Sequence, residues 1–366
     1  MRRVPPKRGF ETLFMATAAL GLMGLTGCNG NPTPEVPPAG PDAPIEADAR
    51  VWQWVDFPES RCADGSPTGI GINLNPGATR AYVYLQGGGA CWTHETCFGV
   101  PIAFNLDGFG VDEFDGLFTD AQLDQALFDR DDPENPLADA HHVFVPYCTG
   151  DAFLGNRRTT LTGPLGIWQE EIHFNGAANI QTFLRRLGPT FEGVDHIVVA
   201  GSSAGGFGAA FNWWAFKETF PDARVDVLDD SGPPVEPVDG RWQQWQQTWG
   251  IDLPDGCEGC ENSVMAVIEH AGRTLARQGR FGLLSSDGDL IISIFMGHDP
   301  WTFSWRLWDL ADVMDGVEGL HYFFTDSLSH TFLARGIDGV TARDGQDLRR
   351  WIGAMIEDDP DWASAR

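Results

Sequence analysis

Short apolar segments alternate with helical patterns along most of the chain, and this alternation constrains the fold more than any other feature. Six segments rich in Val, Ile, Leu, Phe and Tyr are predicted as strands: 81–85, 142–146, 196–200, 224–228, 281–285 and 321–324. Helical patterns lie at 177–187, 205–220, 290–296 and 344–356. Strands that are apolar on both faces are typical of a parallel sheet between two layers of helices. The sequence therefore predicts an α/β domain with a mostly parallel sheet.

A G-x-S-x-G motif lies between the third predicted strand and the helix after it. It reads Gly201-Ser-Ser203-Ala-Gly205. Such a turn exposes a serine at a helix N-terminus, where amide groups and the helix dipole favour a developing negative charge. A glycine turn that only packs is the alternative, and a phosphate-binding turn is disfavoured because no lysine follows. The motif predicts Ser203 as a nucleophile.

A second glycine-rich segment, Gln86-Gly87-Gly88-Gly89-Ala90, follows the first strong strand. An acyl-transfer intermediate places negative charge on its carbonyl oxygen, and backbone amides without bulky neighbours can donate hydrogen bonds to it. Gly88, Gly89 and Ala204 are therefore the predicted oxyanion hole. The alternative is a turn in which glycine serves backbone freedom alone.

A serine nucleophile needs a base, and in enzymes with this turn the chain order is serine, acid, histidine. His330 lies in the loop after the last predicted strand, where the base is expected. His298 is the second choice, and it lies beside Asp299 and Pro300 in a predicted loop.

The acid is less well defined by the residues alone. Asp287 and Asp289 both follow the fifth predicted strand, and Asp289 could also be the N-cap of the next helix. Asp229 and Asp230 after the fourth strand form a less favoured pair.

The N-terminus has the features of an export signal. Basic residues precede an apolar stretch at about 13–25, which is short for a membrane span and ends in Leu-Thr-Gly-Cys28. We interpret residues 1–28 as a lipoprotein signal peptide with Cys28 lipidated, residues 29–50 as a flexible Pro-rich tether, and residues 51–366 as the catalytic domain. An ordinary signal peptide is the alternative. The expected location is the bacterial cell envelope, at the outer membrane or cell surface, with membrane contact only through the lipid.

Net charge and cysteine content indicate which partners, cofactors and disulfides to expect. A net charge of −28 repels phosphate backbones, so a nucleic-acid partner is not expected. Besides Cys28 the chain has an even number of cysteines, which in an exported protein indicates disulfides: Cys62, Cys91, Cys97, Cys148, Cys257 and Cys260. Zinc or redox chemistry at the last two is the alternative to a local disulfide. No metal or organic cofactor is implied.

Residues 233–278 interrupt the alternation of strands and helices and are predicted as an inserted, partly helical cap. Trp242, Trp245 and Trp249 in this segment share one helical face. Stacking on sugars, lining of an acyl pocket and ordinary packing all fit this spacing.

These motifs together resemble the pectin acetylesterase/Notum family of carboxylesterases from about Cys62 to Phe332. The resemblance is carried by five blocks: Cys62-Ala-Asp-Gly-Ser-Pro-Thr-Gly69, Leu85-Gln-Gly-Gly-Gly-Ala-Cys91, Pro146-Tyr-Cys-Thr-Gly-Asp151, Gly201-Ser-Ser-Ala-Gly-Gly206 and Ser329-His-Thr-Phe332. The chain departs from the family at Gln86, where Glu is usual, and at Gly89, where Trp is frequent.

The resemblance implies an α/β-hydrolase fold with Ser203, Asp289 and His330 as the triad. It also implies the disulfides Cys91–Cys97 and Cys62–Cys148, which leaves Cys257 with Cys260. The expected function is hydrolysis of carboxylic esters, with O-acetyl groups on a polysaccharide as one substrate class. A lipase, a polyester depolymerase, a peptidase and a non-catalytic surface binding protein are the alternatives.

Overall fold

The structure, a computed structural model, describes residues 42–119, 126–275, 278–333 and 336–366. Ten strands lie within these ranges: β1 (Gln53–Phe57), β2 (Thr68–Asn73), β3 (Arg80–Leu85), β4 (His141–Val145), β5 (Arg157–Thr162), β6 (Gln169–Phe174), β7 (His196–Ser202), β8 (Arg224–Asp230), β9 (Phe281–Ser286) and β10 (Leu320–Thr325). The same ranges contain nine α-helices: α1 (Val111–Thr119), α2 (Gly176–Thr190), α3 (Ala204–Phe211), α4 (Trp213–Thr219), α5 (Arg241–Trp245), α6 (Val264–Leu275), α7 (Leu290–Met296), α8 (Pro300–Asp315) and α9 (Leu348–Ile356).

Eight strands form one sheet in the order β1-β2-β4-β3-β7-β8-β9-β10. From β4 to β10 all neighbours are parallel, and β2 pairs antiparallel with both β1 and β4. At the carboxyl end of the central strand, Leu85 pairs with Val145 on one side and Gly201 on the other. The predicted mostly parallel sheet of an α/β-hydrolase-like fold is confirmed.

Alternate residues of each strand pack against different helices. Val83 and Leu85 belong to a core cluster that includes side chains of α2, α3, α6 and α8. Tyr82 and Tyr84 belong to a second cluster with side chains of α1 and α9. Helices therefore cover both faces, as the doubly apolar strands predict.

Four strands were not predicted because their sequences lack the apolar run on which the prediction rests. β2 reads Thr-Gly-Ile-Gly-Ile-Asn, and its partner β1 is only partly buried. β5 and β6 form a separate antiparallel pair whose residues are mostly polar and exposed. Solvated strands of this kind resemble loops in composition.

The helix predicted over 205–220 is two helices. It breaks at Asn212, whose side-chain amide donates to the carbonyls of Phe153 and Gly208 at 3.0 and 2.9 Å. An asparagine that hydrogen-bonds the backbone in this way competes with continued helix. The last helix begins later than predicted, at Leu348, where the Asp347 carboxylate accepts the N–H of Arg350.

The segment 233–278, predicted as a cap, divides into two parts. Its first half carries α5, which borders the candidate site through Arg241. Its second half carries α6, whose Val264, Val267 and Ile268 are buried in the main core. This helix covers the sheet between β8 and β9, as an ordinary crossover helix does.

The three tryptophans of this segment pack in the interior. Trp242, Trp245 and Trp249 are each at most 2% exposed. The ring of Trp245 stacks between Trp249, at a centroid distance of 5.3 Å, and Phe295, at 4.7 Å. Because all three rings are buried, the alternative of stacking on sugars is wrong, and ordinary packing is the alternative that the structure supports.

Three disulfides join the six cysteines. They are Cys62–Cys148, Cys91–Cys97 and Cys257–Cys260, the pairings that the family resemblance implies. The first closes a loop with a sequence separation of 86 and should stabilise the fold by about 4–5 kcal/mol in the chain-entropy picture.

The signal peptide 1–28, including Cys28, lies outside the described residues. Within the predicted tether, Ile45 is buried and its N–H donates to the Thr190 hydroxyl at 2.7 Å. The folded domain therefore begins before residue 51, where the change in composition placed its boundary. Nowhere in the described part of the chain is a helix both long and apolar enough to cross a membrane.

Candidate active site

The predicted site residues gather at the carboxyl edge of the parallel strands. The chain runs from β3 to β4 on one side and returns to β7 on the other side of β3. At such a switch in strand order the loops diverge and leave a crevice. β3 leads into Gln86–Gly89 and β7 leads into Ser203, so both glycine-rich motifs meet at this crevice.

Ser203 occupies a strained turn between β7 and α3. Its φ and ψ are 58° and −118°, a conformation that costs a non-glycine residue about 1–3 kcal/mol. The turn is tight, since a β-carbon at Gly205 would lie 2.0 Å from the Leu85 carbonyl oxygen. The N–H of Ser203 donates to the Asp230 carbonyl at 2.6 Å. This turn has the geometry that the G-x-S-x-G motif predicts.

Three backbone amides beside Ser203 remain available. Among the described residues, none accepts a hydrogen bond from the N–H of Gly88, Gly89 or Ala204. Gly89 has φ 73°, and a β-carbon there would lie 2.0 Å from the Ile102 carbonyl oxygen. In this conformation the position requires glycine.

His330 and Asp289 form a hydrogen-bonded pair. The Nδ1–H of His330 donates to Asp289 Oδ2 at 2.7 Å, and both side chains are largely buried. The other carboxylate oxygen caps α7 by accepting the N–H groups of Ile291 and Ile292 at 2.9 and 3.2 Å. With Nδ1 protonated, the second ring nitrogen of His330 carries a lone pair and can accept a proton.

Ser203 and His330 line the same cavity. The structure thus brings together the serine, the histidine and one of the two candidate acids. The other acid, Asp287, lines a different cavity with Trp308 and Arg343. The second-choice base, His298, is bonded through Nε2 to the Glu236 carbonyl at 2.7 Å.

The less favoured acids have other contacts. Asp229 accepts the N–H of Gly232 at 2.8 Å, and burial raises its pKa well above the usual range. Asp230 is fully buried and holds the loop that carries His330. Its carboxylate accepts the N–H groups of Phe332 and Leu333 at 2.9 Å each.

Asp230 also connects the histidine loop to the nucleophile turn. Its carboxylate accepts the hydroxyl of Ser202 at 2.6 Å, and Ser202 in turn accepts the Tyr84 hydroxyl at 2.9 Å. Its carbonyl accepts the N–H of Ser203. Asp230 therefore holds both the loop that carries His330 and the turn that carries Ser203. In the sequence, Asp230 stands out only as an acidic residue at the end of the fourth predicted strand, which makes it a less favoured candidate for the triad acid.

Burial raises the pKa of Asp230, and the hydrogen bonds from Ser202 and from the histidine loop oppose that rise.

We expect Asp230→Asn to lower kcat about 100-fold with little change in KM. An amide nitrogen cannot accept the N–H groups of the histidine loop, so the loop that carries His330 shifts. Unfolding free energy should fall by about 1–3 kcal/mol. Steady-state kinetics and urea unfolding measure the two effects.

Asp226→Asn is the matched control. Asp226 is equally buried, but it lies at the opposite end of β8 and bonds Arg224 and His196. This variant should lose stability and keep kcat. Equal kcat in both variants would show that Asp230 has only a structural role.

Two cavities meet at Ser203. The first, which we call the apolar pocket, has a volume of about 280 Å³ and is lined mainly by apolar side chains such as Trp92, Phe207, Ile294 and Phe295. Among the described residues that line it, only Arg241 is charged; its guanidinium lies over the Trp92 ring at 5.1 Å and donates to the Phe295 carbonyl.

The second cavity, which we call the histidine pocket, has a volume of about 570 Å³. It is lined by His330, Thr331, Gln86 and aromatic rings including Tyr84 and Phe104. The two cavities share four residues: Gly89, Ile102, Ser203 and Ile291. No group of three His, Cys, Asp or Glu side chains that could hold a metal ion occurs among the described residues.

The sequence matches the Pectinacetylesterase family over residues 53–250. It is 31% identical to palmitoleoyl-protein carboxylesterase notum2 of Xenopus laevis over 159 residues, 41% of this chain and 29% of that protein. It is 30% identical to the human palmitoleoyl-protein carboxylesterase NOTUM over 178 residues, 47% of this chain and 34% of that protein. The matched part of the chain thus spans about a third of the length of these curated relatives. The family match includes Ser203 and ends before Asp289 and His330.

Proposed function

Because the chain belongs to the pectinacetylesterase family, we propose that it is a serine carboxylic ester hydrolase in which Ser203 is the nucleophile, His330 the base and Asp289 the acid. The observation that carries the proposal is the His330–Asp289 hydrogen bond of 2.7 Å, whose histidine lines the same cavity as the strained Ser203. A nucleophile, a base and an orienting acid in this order are the parts that acyl transfer requires.

The reaction follows from these contacts. Ser203 attacks the ester carbonyl while the unprotonated nitrogen of His330 takes the hydroxyl proton. Asp289 keeps the imidazole in the required tautomer and stabilises the imidazolium that forms. The free amides of Gly88, Gly89 and Ala204 hold the oxyanion. His330 then returns the proton to the leaving alcohol, and water hydrolyses the acyl-enzyme with His330 again as base.

The transfer of the proton from His330 to the leaving alcohol indicates which half of the ester occupies each cavity. His330 protonates the alcohol as it leaves, so the alcohol half of the ester must lie on the His330 side, in the histidine pocket. The acyl half then extends into the apolar pocket, which is bordered by Ala204 of the proposed oxyanion hole. An acyl chain needs an apolar surface, which the apolar pocket provides. The histidine pocket has a largely aromatic lining as well, and it adds the polar groups of Gln86 and Thr331, which an alcohol moiety can contact.

The size of the apolar pocket favours an acyl group longer than acetyl. A cavity of about 150 Å³ already holds benzene, and this one is about 280 Å³. The names of the relatives, which describe carboxylesterases of palmitoleoyl-protein, point in the same direction. Removal of O-acetyl groups from a polysaccharide is the second candidate, and the description of the matched family favours it.

A fluorophosphonate probe tests the proposed nucleophile. We expect one covalent adduct per folded chain, on Ser203 and not on the neighbouring Ser202, as mapped by peptide mass spectrometry. A panel of p-nitrophenyl esters from acetyl to dodecanoyl should then show higher kcat/KM for medium chains than for acetyl.

Other outcomes support the remaining alternatives. A folded chain that stays unlabelled would support a non-catalytic binding protein. Acetyl as the preferred acyl group would support the polysaccharide esterase, and cleavage of peptide or polyester substrates would support a peptidase or a depolymerase.

We also propose that Cys28 is lipidated and anchors the enzyme in the bacterial envelope, on the support of the Leu-Thr-Gly-Cys28 sequence after a basic and apolar leader. The full-length chain expressed in a bacterium should sediment with membranes, and Cys28→Ala should release it or leave it unprocessed. The mature N-terminal peptide should begin at acylated Cys28. An unmodified cysteine in a soluble wild-type protein would contradict the proposal.

A further inference from the structure

Exposed apolar side chains surround the openings of the two cavities. The loop 98–106 contributes Val100, Ile102 and Phe104, and helix α7 contributes Ile291 and Ile294. Leu328, near His330, is 72% exposed, and Val100, Phe104 and Ile294 are each at least 70% exposed. We call these six residues the apolar rim. Exposed apolar side chains grouped around one opening are uncommon on a water-facing protein surface and mark a contact site.

The members of the rim are connected through the site itself. Ile102 and Ile291 line both the apolar pocket and the histidine pocket, Phe104 lines the histidine pocket, and Ile294 lines the apolar pocket. Leu328 lies over Gly288, the residue before Asp289. A surface that covers the rim would therefore face the openings that lead to Ser203.

The charge of the rim identifies the kind of surface it can contact. The segments 98–106, 290–298 and 327–333 contain no Asp, Glu, Lys or Arg, whereas 21% of the whole chain is charged and its net charge is −28. A neutral area on such an acidic protein does not complement a charged partner. It complements a lipid surface that carries no net charge. The negative charge on the rest of the protein repels a lipid surface that is anionic.

We propose that the apolar rim docks the enzyme onto the surface of a neutral lipid phase, such as zwitterionic bilayer or emulsified acyl ester, and that its substrates are acyl esters presented at that surface. This inference rests on the proposed esterase function, because it uses the apolar pocket as the site for the acyl chain. Docking excludes water from the rim and allows an acyl chain to pass from the lipid into the apolar pocket without crossing water.

Binding is tested with vesicles and with the Ser203→Ala chain, so that hydrolysis does not alter the lipid. We expect this protein to co-sediment with phosphatidylcholine vesicles and to bind less to vesicles rich in phosphatidylglycerol at low salt. Val100→Asp in the same background should weaken binding to phosphatidylcholine at least about tenfold, because docking would bury a charge. Val100 lines neither cavity.

Val51→Asp is the matched control. Val51 is also exposed and precedes β1, and the adjacent Arg50 bonds Leu74 at the end of the sheet opposite to the site. This variant should bind phosphatidylcholine like the parent. With Ser203 restored, Val100→Asp should lower turnover of an emulsified dodecanoyl ester about tenfold and leave turnover of soluble p-nitrophenyl butyrate unchanged.

Absence of binding to phosphatidylcholine, or equal binding by Val100→Asp and its parent, would overturn the inference. A dimer that Val100→Asp dissociates would instead assign the rim to a second copy of the chain. Failure of the proposed function would look different, since the wild-type protein would then neither hydrolyse the soluble butyrate ester nor react with the fluorophosphonate.

Discussion

Replacing Ser203 by alanine is expected to lower kcat for a soluble ester by a factor on the order of 10⁶, the loss found when the serine of a triad is removed. The hydroxyl is the only part of the residue that is lost, and the turn that holds it is fixed by the Asp230 carbonyl and by the close contact of Gly205 with Leu85. Residual activity should not depend on His330. Turnover within tenfold of wild type would refute the assignment of the nucleophile.

Two further variants separate chemistry from backbone strain. Ser203→Gly should be as inactive as Ser203→Ala but about 1 kcal/mol more stable, because glycine tolerates φ 58° and the strain of about 1–3 kcal/mol exceeds the extra entropy of the unfolded chain, about 0.5–1 kcal/mol. Ser202→Ala is the control for the neighbouring hydroxyl. It removes one hydrogen bond to Asp230 and should retain most of the activity and the fluorophosphonate adduct.

The sheet and the nucleophile turn could be predicted from sequence because their signals are local. A strand such as β7 is built around an apolar run, and the glycines around Ser203 are imposed by contacts between adjacent elements, since a β-carbon at Gly205 would lie 2.0 Å from the Leu85 carbonyl oxygen. β1, β2, β5 and β6 lack such a run and were missed, since β1 and β2, and β5 and β6, are stabilised by backbone pairing with each other and not by an apolar sequence of their own.

The anchoring role of Asp230 could not be predicted because it depends on contacts more than 100 residues apart in sequence, to Phe332 and Leu333. Only the fold brings the end of β8 beneath the histidine loop. The apolar rim was missed because three separate segments form it. The choice between Asp287 and Asp289 likewise needed the fold or the family resemblance, since both follow β9 closely and differ only in the direction of the side chain.

Replacing Asp289 by asparagine is expected to lower kcat about 10⁴-fold while leaving the fold intact. The asparagine carbonyl can still accept the N–H groups of Ile291 and Ile292, since asparagine caps helices about as well as aspartate. Its NH₂ group then faces Nδ1 of His330 and donates to it. The ring proton must move to the other nitrogen, which can no longer accept the hydroxyl proton of Ser203. The variant therefore loses activity because His330 is held in the wrong tautomer, and not because the protein unfolds.

Two matched substitutions make this result specific. Asp299→Asn makes the same change at the N-cap of α8, where the carboxylate accepts the N–H groups of Trp301 and Thr302, and should leave kcat unchanged. Asp287→Asn alters the other acid considered, which has no bond to His330, and should cost less than about tenfold. Because Asp289→Asn is expected to unfold at nearly the wild-type urea concentration, a large loss of kcat in that variant alone would identify the orienting acid. A larger loss in Asp287→Asn would reverse the assignment.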